Sequence, residues 1–311
     1  MRIFLTGGSG MVGRNLLEHQ AASQFEIFAP RSYELNLLDQ KAVADYIHEI
    51  KPDLVIHAAG LVGGIQANMA NPVGFLVDNT LMGIHVVNEA NRASVKFCLN
   101  FASSCIYSRN GLNPLKEEQL LEGELEPTNE GYALAKITIA RLCQYISNSD
   151  ASKSYISLIP CNLYGRYDKF DPANSHMIPA VIRKIYEAHV LGATTVDIWG
   201  DGEARREFMY ASDLADAAFT IIEKMCSGEK TPLLMNAGLG KDYSINEYYQ
   251  AVADVIGYKG DFTHDLTRPV GMRQKLIDSS KINALGWQAS TAVNEGIDQT
   301  YQFFLKEINN V

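Results

Sequence analysis

Tyr132 and Lys136 stand four residues apart in Gly131-Tyr132-Ala133-Leu134-Ala135-Lys136, a stretch that reads as a helix. Helical geometry puts both side chains on one face. A free phenol ionises near pH ~10. An adjacent ammonium favours the phenolate, so the pair predicts a tyrosine that can give and take a proton at neutral pH. The spacing alone is common in helices and gains meaning only from its surroundings. Upstream, Ser103-Ser104-Cys105-Ile106-Tyr107 follows an apolar run. A hydroxyl there can share a substrate oxygen with the phenol. Ser103 and Ser104 are both candidates, because neighbouring residues of a strand face opposite ways.

The N-terminus supplies a nucleotide site. Thr6-Gly7-Gly8-Ser9-Gly10-Met11-Val12-Gly13 contains G-x-G-x-x-G through Gly8, Gly10 and Gly13. It also contains G-x-x-G-x-x-G through Gly7, Gly10 and Gly13. Glycines let the backbone turn tightly and approach a pyrophosphate, whose charge then sits at a helix N-terminus. The motif lies between a short apolar run and a helical pattern, as dinucleotide binding requires. The second strand runs into Ala29-Pro30-Arg31-Ser32-Tyr33, with no acid before Glu34. An acid there would favour NAD, whereas a guanidinium suits the 2′-phosphate of NADP. Arg31 therefore points to NADP(H), the alternative being a solvated loop arginine. His57-Ala58-Ala59-Gly60 follows the third strand, and its small residues leave room for a cofactor. His57 itself reads equally well as a packed side chain.

These groups need a scaffold that brings strand ends together. Ile3-Phe4-Leu5, Phe25 to Ala29, Leu54-Val55-Ile56, Val95 to Phe101 and Tyr155 to Ile159 read as strands. Helical patterns separate them, from Met11, from Asp39 to about Ile50, from Gly74 to Ala93 and around Tyr132. Such alternation predicts an α/β chain, a doubly wound parallel sheet of the Rossmann type. After Cys161 the pattern loosens. Helices are expected near Ile178–Ala188, Asp213–Met225 and Ser244–Ile256, then a strand and helix around Leu276–Leu285, then a terminal helix to about Leu305. The expected division is a nucleotide-binding domain at 1–161 and a smaller mixed lobe at 162–311. Some segments of that lobe should return to the first domain.

Composition narrows the partners. Of 311 residues, 47% are hydrophobic and the formal charge is −9, so clustered phosphate contacts to nucleic acid are not expected. Five scattered cysteines lack C-x-x-C spacing, which argues against a disulfide framework or a structural metal. A reducing cytoplasm fits, and no apolar stretch is long enough to suggest a membrane span.

Serine, tyrosine and lysine in this order, behind a glycine-rich start, resemble the short-chain dehydrogenases/reductases. Further stretches resemble one extended branch, the GDP-L-fucose synthases. They are Gly10-Met11-Val12-Gly13, Glu34-Leu35-Asn36-Leu37-Leu38-Asp39, Val62-Gly63-Gly64-Ile65 and Ser103-Ser104-Cys105-Ile106-Tyr107, then Glu126-Pro127-Thr128-Asn129-Glu130, Asn162-Leu163-Tyr164-Gly165, Asn174-Ser175-His176 and Arg206-Glu207-Phe208. The resemblance spans the chain. It implies conversion of GDP-4-keto-6-deoxy-D-mannose to GDP-L-fucose by epimerisation at C3 and C5 and NADPH reduction at C4, in a homodimer. It implies catalytic roles for Ser103, Tyr132, Lys136, Cys105 and His176. It implies cofactor contacts at Gly7, Gly10, Met11, Val12, Gly13, Arg31, Leu37, Ala58, Ala59, Lys136, Asn162, Leu163 and His176.

The chemistry is coherent. A C4 ketone acidifies the hydrogens on C3 and C5, and the enolate needs fixed donors such as Ser103 and Tyr132. Reprotonation on the opposite face needs a second acid/base group. Cys105 and His176 form the pair the resemblance implies, with ordinary pKa values of ~8.5 and ~6.5. A packed cysteine and a structural histidine are the bland alternatives. Lys184, Arg206 and Lys275 can meet a diphosphate, and Trp199 can lie near the base. The resemblance supports Lys184, Trp199 and Arg206 by position.

Ser9 replaces a common Arg, Ser108-Arg109-Asn110 replaces a common Pro-Lys, and Thr267-Arg268-Pro269-Val270-Gly271 lacks an acid before its glycine. Sister activities therefore stay open: GDP-L-colitose synthesis, GDP-heptose epimerisation or reduction, and, in another class, non-catalytic NADP sensing. One missing hydroxyl is discriminated by pocket shape, which the sequence does not display.

Overall fold

The computed structural model describes residues 1–171, 175–267 and 271–309. Asn174 of the Asn-Ser-His stretch, and Arg268, Pro269 and Val270, lie outside the described residues. The elements in chain order begin β1 (Arg2–Thr6), α1 (Met11–Glu18), β2 (Glu26–Phe28), α2 (Gln40–Ile50), β3 (Leu54–His57), α3 (Ile65–Ala70), α4 (Pro72–Arg92), β4 (Phe97–Phe101), α5 (Glu130–Ser149) and β5 (Ser154–Pro160). They continue β6 (Asn162–Tyr164), α6 (Met177–Leu191), β7 (Thr195–Trp199), β8 (Arg205–Arg206), β9 (Phe208–Tyr210), α7 (Ala211–Ser227) and β10 (Leu234–Ala237). The last are β11 (Tyr243–Ser244), α8 (Ile245–Ile256), β12 (Asp261–Asp265), β13 (Gln274–Lys275), α9 (Ser280–Asn283) and α10 (Val293–Asn309).

Six strands form one sheet in the order β10-β5-β4-β3-β1-β2, and every pairing is parallel. The α/β doubly wound fold expected from the alternation is the fold observed. All four residues of β3 are buried, because helices cover both faces of the sheet. Local signals set the helix ends. The Asp39 carboxylate accepts from the Ala42 amide at 3.0 Å to open α2, and Lys51 closes it in the left-handed region at φ 45°. Ser244 and Glu247 form the reciprocal cap of α8. The chain order reverses between β1 and β3, and that crevice at the strand C-termini is where such sheets bind ligands.

A second apolar cluster joins Tyr164, Ile178, Ile182, Ile185, Tyr248, Val252 and Ile297, from β6, α6, α8 and α10. Between these segments α7 and β10 belong to the main core. The tie between the regions is polar. Leu115 and Ile277 form a parallel bridge, and the buried Asn236 amide donates to the Leu115 and Asp278 carbonyls, both at 2.9 Å. Helix α3, which follows Gly63 and Gly64, has no counterpart among the sequence expectations. The strand expected from Leu276 is the pair Gln274–Lys275, with its helix shortened to Ser280–Asn283.

Candidate active site

The glycine turn is shaped by contacts that admit no side chain. Gly7 has φ +74°, and a Cβ there would lie 2.7 Å from the Ala58 carbonyl carbon. A Cβ on Gly13 would lie 2.1 Å from the Gly7 oxygen. Gly10 differs, since its only close neighbour would be that oxygen at 3.4 Å. Its missing side chain leaves the approach to α1 open. No side chain caps α1 and no acid lies in its first turn, so its amides and dipole remain available to an anion. These features fit a dinucleotide pyrophosphate; Met11 and Val12 open α1, and the Ala58 and Ala59 backbone lies against Gly7. Arg31 is exposed just past β2, with its amide donating to Glu34 at 2.6 Å. The Leu37 carbonyl meets the His85 ring at 2.9 Å. His57 is a packed residue. Its Nδ1 meets the Thr6 hydroxyl at 2.9 Å, and burial holds its pKa down at about 3.

Ser103 ends the extended chain after β4, and Ser104–Ile106 forms a single tight turn. The turn sets the two serines apart in exposure. Ser104 is 2% exposed, whereas Ser103 is half-buried and its Oγ accepts from the Cys105 amide at 3.4 Å. Helix α5 presents Tyr132 and Lys136 beside this turn. The Lys136 ammonium donates to the Phe101 carbonyl at 2.9 Å and stands 5.7 Å from the centre of the Tyr132 ring.

The expected acidification of Tyr132 is not what the structure displays. Burial, with a smaller push from Cys105, drives the phenol above its ordinary pKa. Burial also pulls Lys136 down to about 8, against the opposing influence of Cys105. Tyr132 and Lys136 do share one helix, one turn apart, as their spacing predicts. The amine, however, is tied to a carbonyl and faces the ring, while loss of water penalises both charged forms.

Cys105 is 6% exposed. Burial raises its thiol, whereas Lys275, the Ser103 hydroxyl and Lys136 all favour the thiolate. Lys275 thus belongs to this cluster as well as to the basic set proposed for a diphosphate. It sits on β13 opposite Arg206 of β8. Burial lowers the pKa of Lys275 and of Arg206, and Glu126 pulls both back up. Lys184 of α6 pairs with the Asp197 carboxylate at 2.7 Å, on the strand that ends in the half-exposed Trp199. Asn162 begins β6 and donates to the Glu207 carbonyl at 3.1 Å, and Leu163 packs on the main core.

His176 immediately precedes α6 and meets Asp168 Oδ1 through Nδ1 at 3.1 Å. Burial alone would lower this imidazole, but the Asp168 hydrogen bond and charge outweigh it and the net shift is upward. Among the described residues His176 makes no hydrogen bond to Cys105 or Tyr132. Two carboxylates of this region were not singled out from sequence. Asp168 is the partner of His176. Glu207, 1% exposed, accepts the Gly240 amide at 2.7 Å and the Ile277 amide at 3.0 Å. Burial lifts it to about 7 despite those bonds. Glu207 stands inside the Arg206-Glu207-Phe208 stretch, and its bonds come from segments distant in sequence; Asp168 stands in none of the recognised stretches.

A parallel sheet with a glycine turn at its switch point, and Ser, Tyr and Lys at one edge, defines a dinucleotide-dependent oxidoreductase or epimerase scaffold. A profile of the NAD dependent epimerase/dehydratase family matches residues 3–238, and the chain belongs to that family. It is 52% identical over 310 residues to a GDP-L-colitose synthase of Yersinia pseudotuberculosis, covering 100% of both chains. It is 49% identical over 304 residues to a GDP-L-fucose synthase of Azorhizobium caulinodans, covering 98% of this chain and 96% of that one. A crystal structure of a GDP-L-fucose synthetase from Naegleria fowleri bound to NADP superposes with a TM-score of 0.88 at 26% identity, covering 100% and 94% of the two chains. The resemblance read from the motifs is upheld.

Proposed function

We propose that the protein is an NADPH-dependent enzyme that epimerises C3 and C5 and reduces C4 of GDP-4-keto-6-deoxy-D-mannose, giving GDP-L-fucose. The observation that carries this reading is the convergence of Ser103, Tyr132, Lys136 and Lys275 on Cys105, in a chain similar throughout to GDP-L-fucose synthases. NADPH, when bound, supplies the hydride for C4. Gly7, Gly10, Met11, Val12 and Gly13 hold its pyrophosphate, with Arg31 at the 2′-phosphate. Leu37, Ala58, Ala59, Asn162, Leu163 and His176 line the rest of the site.

Ser103 and Tyr132 hydrogen-bond the C4 oxygen and stabilise negative charge on it. Tyr132 gives its proton to that oxygen as the alcohol forms. Its raised pKa keeps it in the protonated form this step needs. Lys136 holds the nicotinamide ribose. Cys105 takes the carbon-bound proton; burial raises its thiol on balance, and Lys275, the Ser103 hydroxyl and Lys136 offset part of that rise. His176 delivers a proton on the opposite face, since Asp168 favours its charged form. Lys184, Arg206 and Lys275 meet the diphosphate, and Trp199 the nucleoside. Residues 1–161 serve mainly the cofactor and 162–311 mainly the sugar nucleotide.

A second reading is GDP-L-colitose synthesis, favoured by the 52% identity to such an enzyme. It needs the same residues and a substrate without the 3-hydroxyl. Purified protein with NADPH and each keto sugar separates the two by rate of NADPH oxidation and product identity. Faster turnover of GDP-4-keto-3,6-dideoxymannose would overturn the fucose assignment. No NADPH oxidation with any GDP-keto sugar, alongside tight NADP binding, would return the chain to a sensing role.

The enzyme acts as a homodimer. Val73, Leu76, Val77 and Leu81 on α4 and Leu134 and Tyr145 on α5 are exposed on adjoining helices, an apolar area that a second copy would cover. A cytoplasmic location is supported by five free cysteines, four of them buried. Among the described residues no helix is long and apolar enough to cross a membrane.

A further inference from the structure

Asp168 lies in a loop fastened to the helix that receives the cofactor. Tyr167, next to it, has a left-handed backbone at φ 71°, a conformation unfavourable for an aromatic residue and maintained only by its surroundings. Those surroundings come from α1. The Arg14 guanidinium lies 3.8 Å from the centre of the Tyr167 ring. The Tyr167 hydroxyl donates to Glu18, and the Arg166 guanidinium donates to the same carboxylate at 2.8 Å. The Asn15 amide reaches the Arg166 carbonyl at 3.5 Å. Two turns of α1 thus grip the residues just before Asp168.

The Asp168 side chain is 4% exposed. Oδ1 meets His176 Nδ1 and also accepts the Lys169 amide at 2.8 Å, while Oδ2 has no hydrogen-bond partner among the described residues. A buried carboxylate with one oxygen unmatched is costly unless its charge serves a neighbour. The charged groups acting on the imidazole are Asp168 and, opposing it, Lys169. A carboxylate on Nδ1 fixes the ring's orientation and tautomer, leaving Nε2 as the nitrogen for proton exchange.

We propose that Asp168 is a positioning residue that orients His176 and keeps it charged for proton delivery, and that α1 holds Asp168 in place through the Arg14–Tyr167–Glu18 clasp. This rests on the reading of His176 as the proton donor. It adds a mechanical link between the cofactor helix and the acid/base histidine.

The test pairs a titration with an exchange assay on the full-length protein. Imidazole NMR titration of wild type, with the His176 resonance identified by its loss in His176→Gln, gives the His176 midpoint. Asp168→Asn should lower that midpoint by about one pH unit or more, the effect of removing a neighbouring opposite charge. Deuterium uptake at C3 and C5 of GDP-4-keto-6-deoxy-D-mannose is followed with NADP⁺ present, so that no hydride is delivered. Its alkaline limb should move down with the midpoint, cutting exchange about tenfold above the wild-type midpoint, as one unit of pKa requires. Asp168→Glu should restore part of the shift. Glu18→Ala, a surface change that leaves Asp168 and His176 intact, should move the midpoint in the same direction by less. An unchanged midpoint in Asp168→Asn would refute the positioning role, and one unchanged in Glu18→Ala would refute the clasp. Undiminished exchange in His176→Gln would instead remove His176 as proton donor, the reading beneath, even if Asp168→Asn shifts the midpoint.

Discussion

Replacing Glu207 by Gln should change how stability depends on pH, and its size follows from the structure. The carboxylate is 1% exposed and is lifted from 4.5 to about 7 by burial, against the pull of backbone amides including those of Ile277 and Gly240. A carboxyl raised on folding keeps its proton in the native state while the unfolded chain has already released it. Between pH 4.5 and 7 the native state therefore binds more protons, and stability falls as pH rises. The shift of 7 − 4.5 = 2.5 pH units, at ~1.36 kcal/mol each, amounts to about 3 kcal/mol. Glutamine is neutral throughout. The stability advantage of wild type over Glu207→Gln should thus shrink by about 3 kcal/mol between pH 4.5 and 8 and then level off. Urea unfolding of both proteins across this range measures it, because other titrating groups cancel in the difference. A difference that stays constant with pH would refute the assignment of a buried, proton-holding carboxyl. At any pH glutamine's NH₂ must also face one of the two amides, which costs ~1–3 kcal/mol.

Other expectations are more direct. Tyr132→Phe should slow hydride transfer by ~10²–10⁴-fold, the usual range for a lost general acid, while deuterium still enters C3 and C5; loss of both activities together would show that Tyr132 acts earlier. Gly13→Ala would place a methyl 2.1 Å from the Gly7 oxygen, so NADPH affinity by fluorescence titration should fall at least ~10-fold, equivalent to ~1.4 kcal/mol. Unaltered affinity would mean that the turn does not carry the pyrophosphate. Arg31→Ala should weaken NADPH and leave NADH nearly unchanged, and an equal loss for both would remove Arg31 from the 2′-phosphate. Cys105→Ser should impair exchange at carbon more than reduction of an already epimerised ketone, measured by single-turnover NADPH oxidation.

The sequence was most readable where one residue decides one local geometry. Asp39 before an amphipathic run, Ser244 three residues ahead of Glu247, and a glycine that must fit against a carbonyl each act within a few residues. Helix ends and the nucleotide turn were therefore open to inspection. Helix α3 was hidden for the complementary reason: its start carries two glycines, and Asn68 holds both their carbonyls, at 2.9 Å and 3.0 Å, only once the helix exists.

The site was half legible, and the division follows the range of the forces. Spacing placed Tyr132 and Lys136 on one face, but proton affinity is set by everything around a group. The Phe101 carbonyl that takes the Lys136 ammonium belongs to another strand, and the burial that raises the phenol comes from the whole fold. Lys275 illustrates the same limit. A lysine late in the chain reads as a surface cation for a diphosphate, yet β13 lies beside β8, and Lys275 acts electrostatically on a thiol from the first half. Glu207 ties these facts together. Its carboxylate receives Ile277, two residues beyond Lys275, and its own amide donates to the Lys275 carbonyl at 3.2 Å. The strand carrying Lys275 is thus fastened by a group poised to change charge near pH 7. Charging Glu207 strengthens its bonds to the amides but incurs the desolvation cost, so the seat of Lys275, and through it the environment of Cys105, is coupled to the proton on Glu207.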